Sequence, residues 1–295
     1  MVVLSLACFV VGVLVGWGAA RGGTRVQLVW PIVLRTQILV TSATLSLVAA
    51  WRLTSVGQLV GPLALAAGLW VMFAVALATR RRRSAGEGAL EAWAVSPNSG
   101  FWVVPTATAF AGSAGTMIAV LANVITTAWG AVCVHLMRRD APLRQRRVTS
   151  WVDQSPIVAS LVGLLFHLAG PAPAWTADVL TLAGPLLAFS GAALFAGSVV
   201  HPHNLSVPRS EHALRRWTWL TSLRVVYFLF VVVVAALGSS TALAVVAALS
   251  ALSAPSFQPV QLAVLYGYRS EVVVAAVRWG WLLAPFGLGL AALLR

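Results

Sequence analysis

The chain has 295 residues, of which 60% are hydrophobic and 9% charged, with a mean hydropathy of +0.90. Soluble domains carry about a quarter charged residues, so this composition excludes a soluble enzyme or binding module and indicates an integral membrane protein. The formal net charge is +13 and every one of the twenty basic residues is arginine; without lysine there is no Walker-type phosphate lysine and no Schiff-base lysine.

In chain order, continuous apolar runs near the ~20 residues that cross a bilayer predict helical spans at 2–20, 28–50, 57–79, 92–112, 115–137, 151–169, 175–200, 217–237, 240–266 and 271–294. The alternating ~10-residue pattern of a membrane barrel is not present. The first span lacks the basic lead of a signal peptide and is followed by Arg21 and Arg25, as for a membrane helix whose N-terminus lies outside. Cys8 and Cys133 sit within apolar runs and read as small apolar side chains rather than as a disulfide or metal site.

The arginines test this order of spans. Fifteen fall in the loops 1–2, 3–4, 5–6, 7–8 and 9–10, whereas the other side holds only Arg52 and Arg295. That asymmetry fixes the basic loops inside and both termini outside, in an inner (plasma) membrane. Short basic loops of this kind set topology, so no nucleic-acid partner is expected. The loop 138–150 divides the chain into a first five-helix repeat, 1–137, and a second, 151–295. Five spans is an odd number, so the second repeat runs inverted. The expected fold is an all-α integral membrane protein with ten transmembrane helices in two inverted five-helix repeats.

Span four contains AVSPNSGFWVVPTATAFAG (94–112), where Pro97-Asn98-Ser99-Gly100 is a strong turn signal inside an apolar run. Span nine carries Pro255 and Pro259 in the corresponding place. Paired breaks at matching positions of two halves point to a transporter site near the bilayer midplane. The freed backbone is tolerated only inside protein or against a water-filled cavity. Pro97, Asn98 and Ser99 are therefore candidate substrate-binding residues, since a half-helix N-terminus favours an anion. The alternative is an N-cap that serves only its own helix. Pro255, Ser256, Gln258 and Gln261 are the equivalents at the second break. Asn123 and Thr127, an i, i+4 pair on span five, either line the same cavity or hydrogen-bond between helices.

Arg35, Arg224 and Arg278 each lie about seven residues into a span, roughly 10 Å deep at 1.5 Å per residue. Such residues pair, snorkel or act on a substrate. Of the three, Arg278 is the candidate for attracting an anion. The acidic residues, Glu91 among them, all fall in loops or near span ends, which disfavours a proton relay or a carboxylate-rich sodium site. His201, His203 and His212 read as loop residues. No nucleophile–base set, metal set or phosphate loop is visible, so neither an enzyme nor a cofactor is expected.

PNSGFWVVPTATAFAG resembles the fourth span of the auxin efflux carrier family, which includes bacterial malonate and malate permeases. SPIVASLVGLLFHLAGPAPAW (155–175), GPLLAFSGAALFAG (184–197) and APSFQPVQLAVLYGYRSEVVVAAV (254–277) resemble that family's sixth, seventh and ninth spans. The resemblance implies crossed, broken helices four and nine at the substrate site. It also implies an elevator movement of spans 3–5 and 8–10 against spans 1, 2, 6 and 7. Ala254 stands where the family usually has Met, and Arg278-Trp279-Gly280-Trp281 occupies a span usually rich in Ser and Thr. The expected function is carriage of small organic anions, with the lipid bilayer as the other partner and homodimerisation left open. Two alternatives stand beside it: a sodium-coupled symporter of the bile-acid type, and a non-transporting receptor or assembly subunit with a transporter fold.

Overall fold

A computed structural model describes residues 2–21, 36, 40–79, 84–140, 155–199, 211–253, 256 and 271–295. Secondary structure among the described residues is helical throughout. The helices are α1 (Val2–Arg21), α2 (Val40–Trp51), α3 (Val60–Ala78), α4 (Ala85–Val95), α5 (Val104–Asp140), α6 (Ser155–Ala169), α7 (Trp175–Val199), α8 (Glu211–Leu237), α9 (Thr241–Ala251), α10 (Glu271–Trp279) and α11 (Ala284–Leu293). Among the described residues four stretches, Val56–Ala78, Val104–Thr126, Trp175–Ala193 and Glu211–Leu237, are long and apolar enough to cross a membrane, and several shorter apolar helices accompany them. Beside an apolar core, many large apolar side chains also lie on the outer surface. Val158, Leu161 and Leu165 on α6 and Val226, Phe230 and Val233 on α8 face outward, while Ser96, Asn98, Arg224 and Ser253 are buried. That distribution is consistent with a membrane-embedded protein.

The run Val104–Asp140 is two helices, because the chain turns back at Gly112 (φ 61, ψ −152). This backbone conformation is essentially open to glycine alone. The hydroxyls of Thr108 and Thr116 lie 2.8 Å apart across the turn, whereas residues eight apart in a straight helix would be separated by about 12 Å. We call the arms α5a (104–111) and α5b (113–140). α4 and α5a run antiparallel to α5b. Trp93 lies over Gly130, the Cys133 thiol meets the Ala89 carbonyl at 3.7 Å, and the Gly86 N–H donates to Asp140 at 2.7 Å.

α4 begins with a capping box. Ser84 accepts from the Glu87 N–H, and Glu87 accepts from the Ser84 N–H, so two of the helix's orphan donors are satisfied reciprocally. Asp140 supplies a third acceptor to the same helix start. Burial pushes its carboxyl up, but the Gly86 N–H and the Arg139 guanidinium at 3.1 Å outweigh that and hold it below its ordinary value.

Small residues allow the closest helix contacts, as in other membrane bundles. α1 lies along α7 with Gly12 and Gly16 against the carbonyls of Phe189 and Ala193. α2 lies on α6 at Gly163, beneath the Leu47 carbonyl. Its C-terminal end is tied to the end of α6 by Trp51 Nε1, which donates to Gly170 O at 3.2 Å, and to the start of α7 by Arg52, which donates to Thr176 Oγ1 at 2.8 Å. α3, α4 and α8 pack on one another, α10 packs on α4 and α8, and α5 contacts both α7 and α9.

Candidate functional site

The turn signal in span four is a break inside the bundle, and the surface turn is at Gly112. The contacts of the α4–α5 hairpin pair 86 with 140, 93 with 130 and 108 with 116. This register sets residue 97 level with about residue 127, near the middle of the hairpin. α4 stops at Val95 because Ser96 precedes proline, which disfavours helical backbone at that position; Ser96 is extended (φ −67, ψ 152). The Ser96 hydroxyl and N–H both return to the Trp93 carbonyl, at 2.7 and 3.1 Å. The chain restarts at Asn98, whose carbonyl accepts from the N–H groups of Trp102 and Val103 at 3.0 Å each. That wide turn, Ser99–Val103, leads into α5a.

A second helix end lies beside the first. α9 terminates at Ala251, four residues before Pro255, and Leu252 leaves helical geometry (φ −116, ψ 31). Ser253 and Ser256 beyond it are buried. α9 packs along α8 and α5 and touches the turn Ser99–Val103.

Arg224 joins the two ends. It projects from α8 and is 2% exposed. Its Nη1 donates to Val95 O at 2.7 Å, its Nε to Ala251 O at 3.2 Å, and its Nη2 to Ser253 O at 3.3 Å. These carbonyls lie at or just beyond helix C-termini, where no further turn supplies N–H partners. Each helix end carries roughly −0.5 elementary charge, so the two together amount to about −1. One guanidinium matches that charge and satisfies the carbonyls. The large desolvation cost of a buried arginine is met only by such partners.

Two turns earlier on α8, Arg216 pairs with Glu91 (Nε to Oε2, 3.2 Å), with side chains 10% and 3% exposed. Arg216 also donates to Thr79 Oγ1 at 2.8 Å and to Ala76 O at 3.0 Å, so it ties α3 and α4 to α8. This corrects the placement of Glu91 near a span end: it is buried within α4, one turn before the break. Hydropathy set the span boundary at 92, whereas the capping box starts the helix at 85. On the other side of the break, Trp102 stacks edge-on with Phe9 and Trp281, at 5.9 and 5.8 Å. Its indole N–H is buried and has no hydrogen-bond acceptor among the described residues.

Of the predicted site residues, Pro97, Asn98 and Ser99 sit together at the break; the first two are buried and Ser99 half-buried. Ser256 is buried three residues beyond Ser253. Asn123 is partly buried on α5b near the level of the break, and its carbonyl accepts from the Thr126 hydroxyl at 2.8 Å. Thr127 lies on the same helix at that level. Arg278 lies on α10, whose Val273 and Ala276 pack with Leu90, Ala94 and Met137; its side chain is outside the described residues, as are Pro255, Gln258, Gln261 and Arg35.

Arg224, Ser253 and Trp102 were not among the sequence-derived site residues. The sequence did carry one signal for Arg224: a mid-span arginine with no mid-span carboxylate to meet it, in a chain whose broken helices offer free carbonyls. It is neither a snorkelling residue nor a residue facing a vestibule, because its guanidinium is spent on backbone between two helix ends. No known protein-family profile matches the chain, and no curated protein matches it.

Proposed function

We propose that the protein is a membrane carrier of small organic anions that works by alternating access around the break at Pro97, in the manner of the auxin efflux carrier type. The observation that carries the reading is the meeting of two helix C-terminal ends, those of α4 and α9, at one buried arginine deep within an apolar bundle. Non-helical backbone at membrane depth persists only where protein or an aqueous cavity surrounds it, and transporters build their substrate sites from such breaks. In this proposal α4 with α5a, and the ninth span that contains α9, are the crossing elements of two inverted five-helix repeats, ten spans in all. The anion is drawn to the N-terminal end of the half-helix that starts near Ser99, with Asn98 and the Trp102 N–H as donors.

The packing supports an elevator division. α1 lies along α7, and α2 along α6 and the start of α7, through close glycine contacts and two polar ties. Arg216 and Arg224 bind α3, α4, α8 and α9 into one unit that would move as a body. The test is flux into proteoliposomes for a panel of mono- and dicarboxylates. Saturable uptake is expected for the wild type, and Asn98→Ala is expected to abolish it while eluting as folded protein. Absence of uptake across the panel by folded wild type would favour a non-transporting receptor or assembly subunit.

A further inference from the structure

We propose that Arg224 is a resident counter-cation: its guanidinium fills the position between the C-terminal ends of α4 and α9 that a coupling cation would otherwise take. Unwound carbonyls and half-helix C-termini are the groups with which broken-helix transporters hold Na⁺ or a proton. Here three such carbonyl oxygens, of Val95, Ala251 and Ser253, come from two separate helices and converge on one centre. That centre is occupied by a group that is charged at every working pH and is covalently part of the chain. A free cation arriving there would meet a fixed positive charge at contact distance and find its oxygen ligands already used. Arg224 is therefore a positioning residue. It locks the ends of α4 and α9 together without a dissociable ion, and no ion is carried across the membrane at this point of the cycle.

The consequence for transport rests on the carrier reading; the nature of the cation position does not. Removing the guanidinium should leave a nest of carbonyls about one elementary charge short of neutrality, open to a small cation. The experiment is a melting-temperature titration of purified wild type, Arg224→Ala and Arg224→Lys, with Na⁺ or methylguanidinium replacing choline at constant ionic strength. The wild type should melt at one temperature in Na⁺ and in choline. Arg224→Ala should melt lower in choline and recover by about 4–5 °C when the added cation reaches roughly a hundredfold excess over its dissociation constant. Arg224→Lys keeps the charge and should lie between the two without responding to Na⁺.

A saturable Na⁺-dependent rise in the wild type overturns the proposal, and that measurement stands even where Arg224→Ala does not fold. So does a folded Arg224→Ala that neither cation stabilises. In proteoliposomes, wild-type flux should be equal in Na⁺ and in choline. If no flux occurs under either condition the carrier reading fails, while the cation-rescue result still decides the role of Arg224.

Discussion

The buried pair of Glu91 and Arg216 gives a prediction whose size follows from the structure. Leucine at 216 removes a guanidinium that serves Glu91, the Thr79 hydroxyl and the Ala76 carbonyl. It leaves a carboxylate that is 3% exposed without this partner. Breaking a buried pair from one side costs about 3–5 kcal/mol. At roughly 1.5–2 °C per kcal/mol for a chain of about 300 residues, Arg216→Leu should lower the melting temperature by about 5–10 °C. Glu91→Leu should cost less, since Arg216 keeps Thr79 and Ala76. The double variant Glu91→Leu/Arg216→Leu replaces the pair with apolar volume and should be milder than the two singles summed, by more than about 1 kcal/mol. The assay is equilibrium unfolding of all four proteins in mixed detergent, followed by circular dichroism. Additivity within about 0.5 kcal/mol, the behaviour of independent sites, would refute the pair as a coupled tie between α4 and α8.

Two further outcomes follow from the helix contacts. A Cβ on Gly16 would lie 2.1 Å from the Ala193 carbonyl oxygen, whereas one on Gly18 would meet nothing within 4 Å. Gly16→Ala should therefore cost about 1–3 kcal/mol through forced separation of α1 and α7, with Gly18→Ala neutral by the same melting assay. Asp140→Asn removes a carboxylate from the start of α4 and should cost about 0.5–1 kcal/mol at pH 7. Because the folded carboxyl titrates below its ordinary value, its contribution is present above about pH 4 and is lost as pH falls through the depressed value. The difference between wild type and Asp140→Asn should close over that acidic range; a constant difference down to full protonation would exclude the cap.

What the sequence made legible was whatever depends on neighbours along the chain. The break at Pro97 follows from proline's effect on Ser96, and the hydropathy runs placed the turn between the fourth and fifth spans at 112–115, where the structure has it at Gly112. The ends of α1, α3, α6 and α7 lie within a few residues of the hydropathy runs. The start of α4 was written in Ser84-Ala85-Gly86-Glu87 but masked by the four arginines before it. The convergence at Arg224 was not legible in the same way. Its partners lie 129, 27 and 29 residues away, and only the folded hairpins bring them together. Glu91 was misplaced because a charged residue beside an apolar run looks like a boundary, until a partner such as Arg216 is found to meet it.

The central claim is that the break at Pro97 is the point to which access alternates. Ser99 is half-buried at the start of the second half-helix, and the native thiols Cys8 and Cys133 can be replaced by alanine. A Ser99→Cys variant in that background, treated with a membrane-impermeant maleimide, reads access directly in right-side-out and inside-out vesicles. Labelling from both sides, with a transported anion shifting the balance between them, is the predicted result. Labelling from one side alone, with or without any anion that the wild type carries, would contradict an alternating-access site at this break.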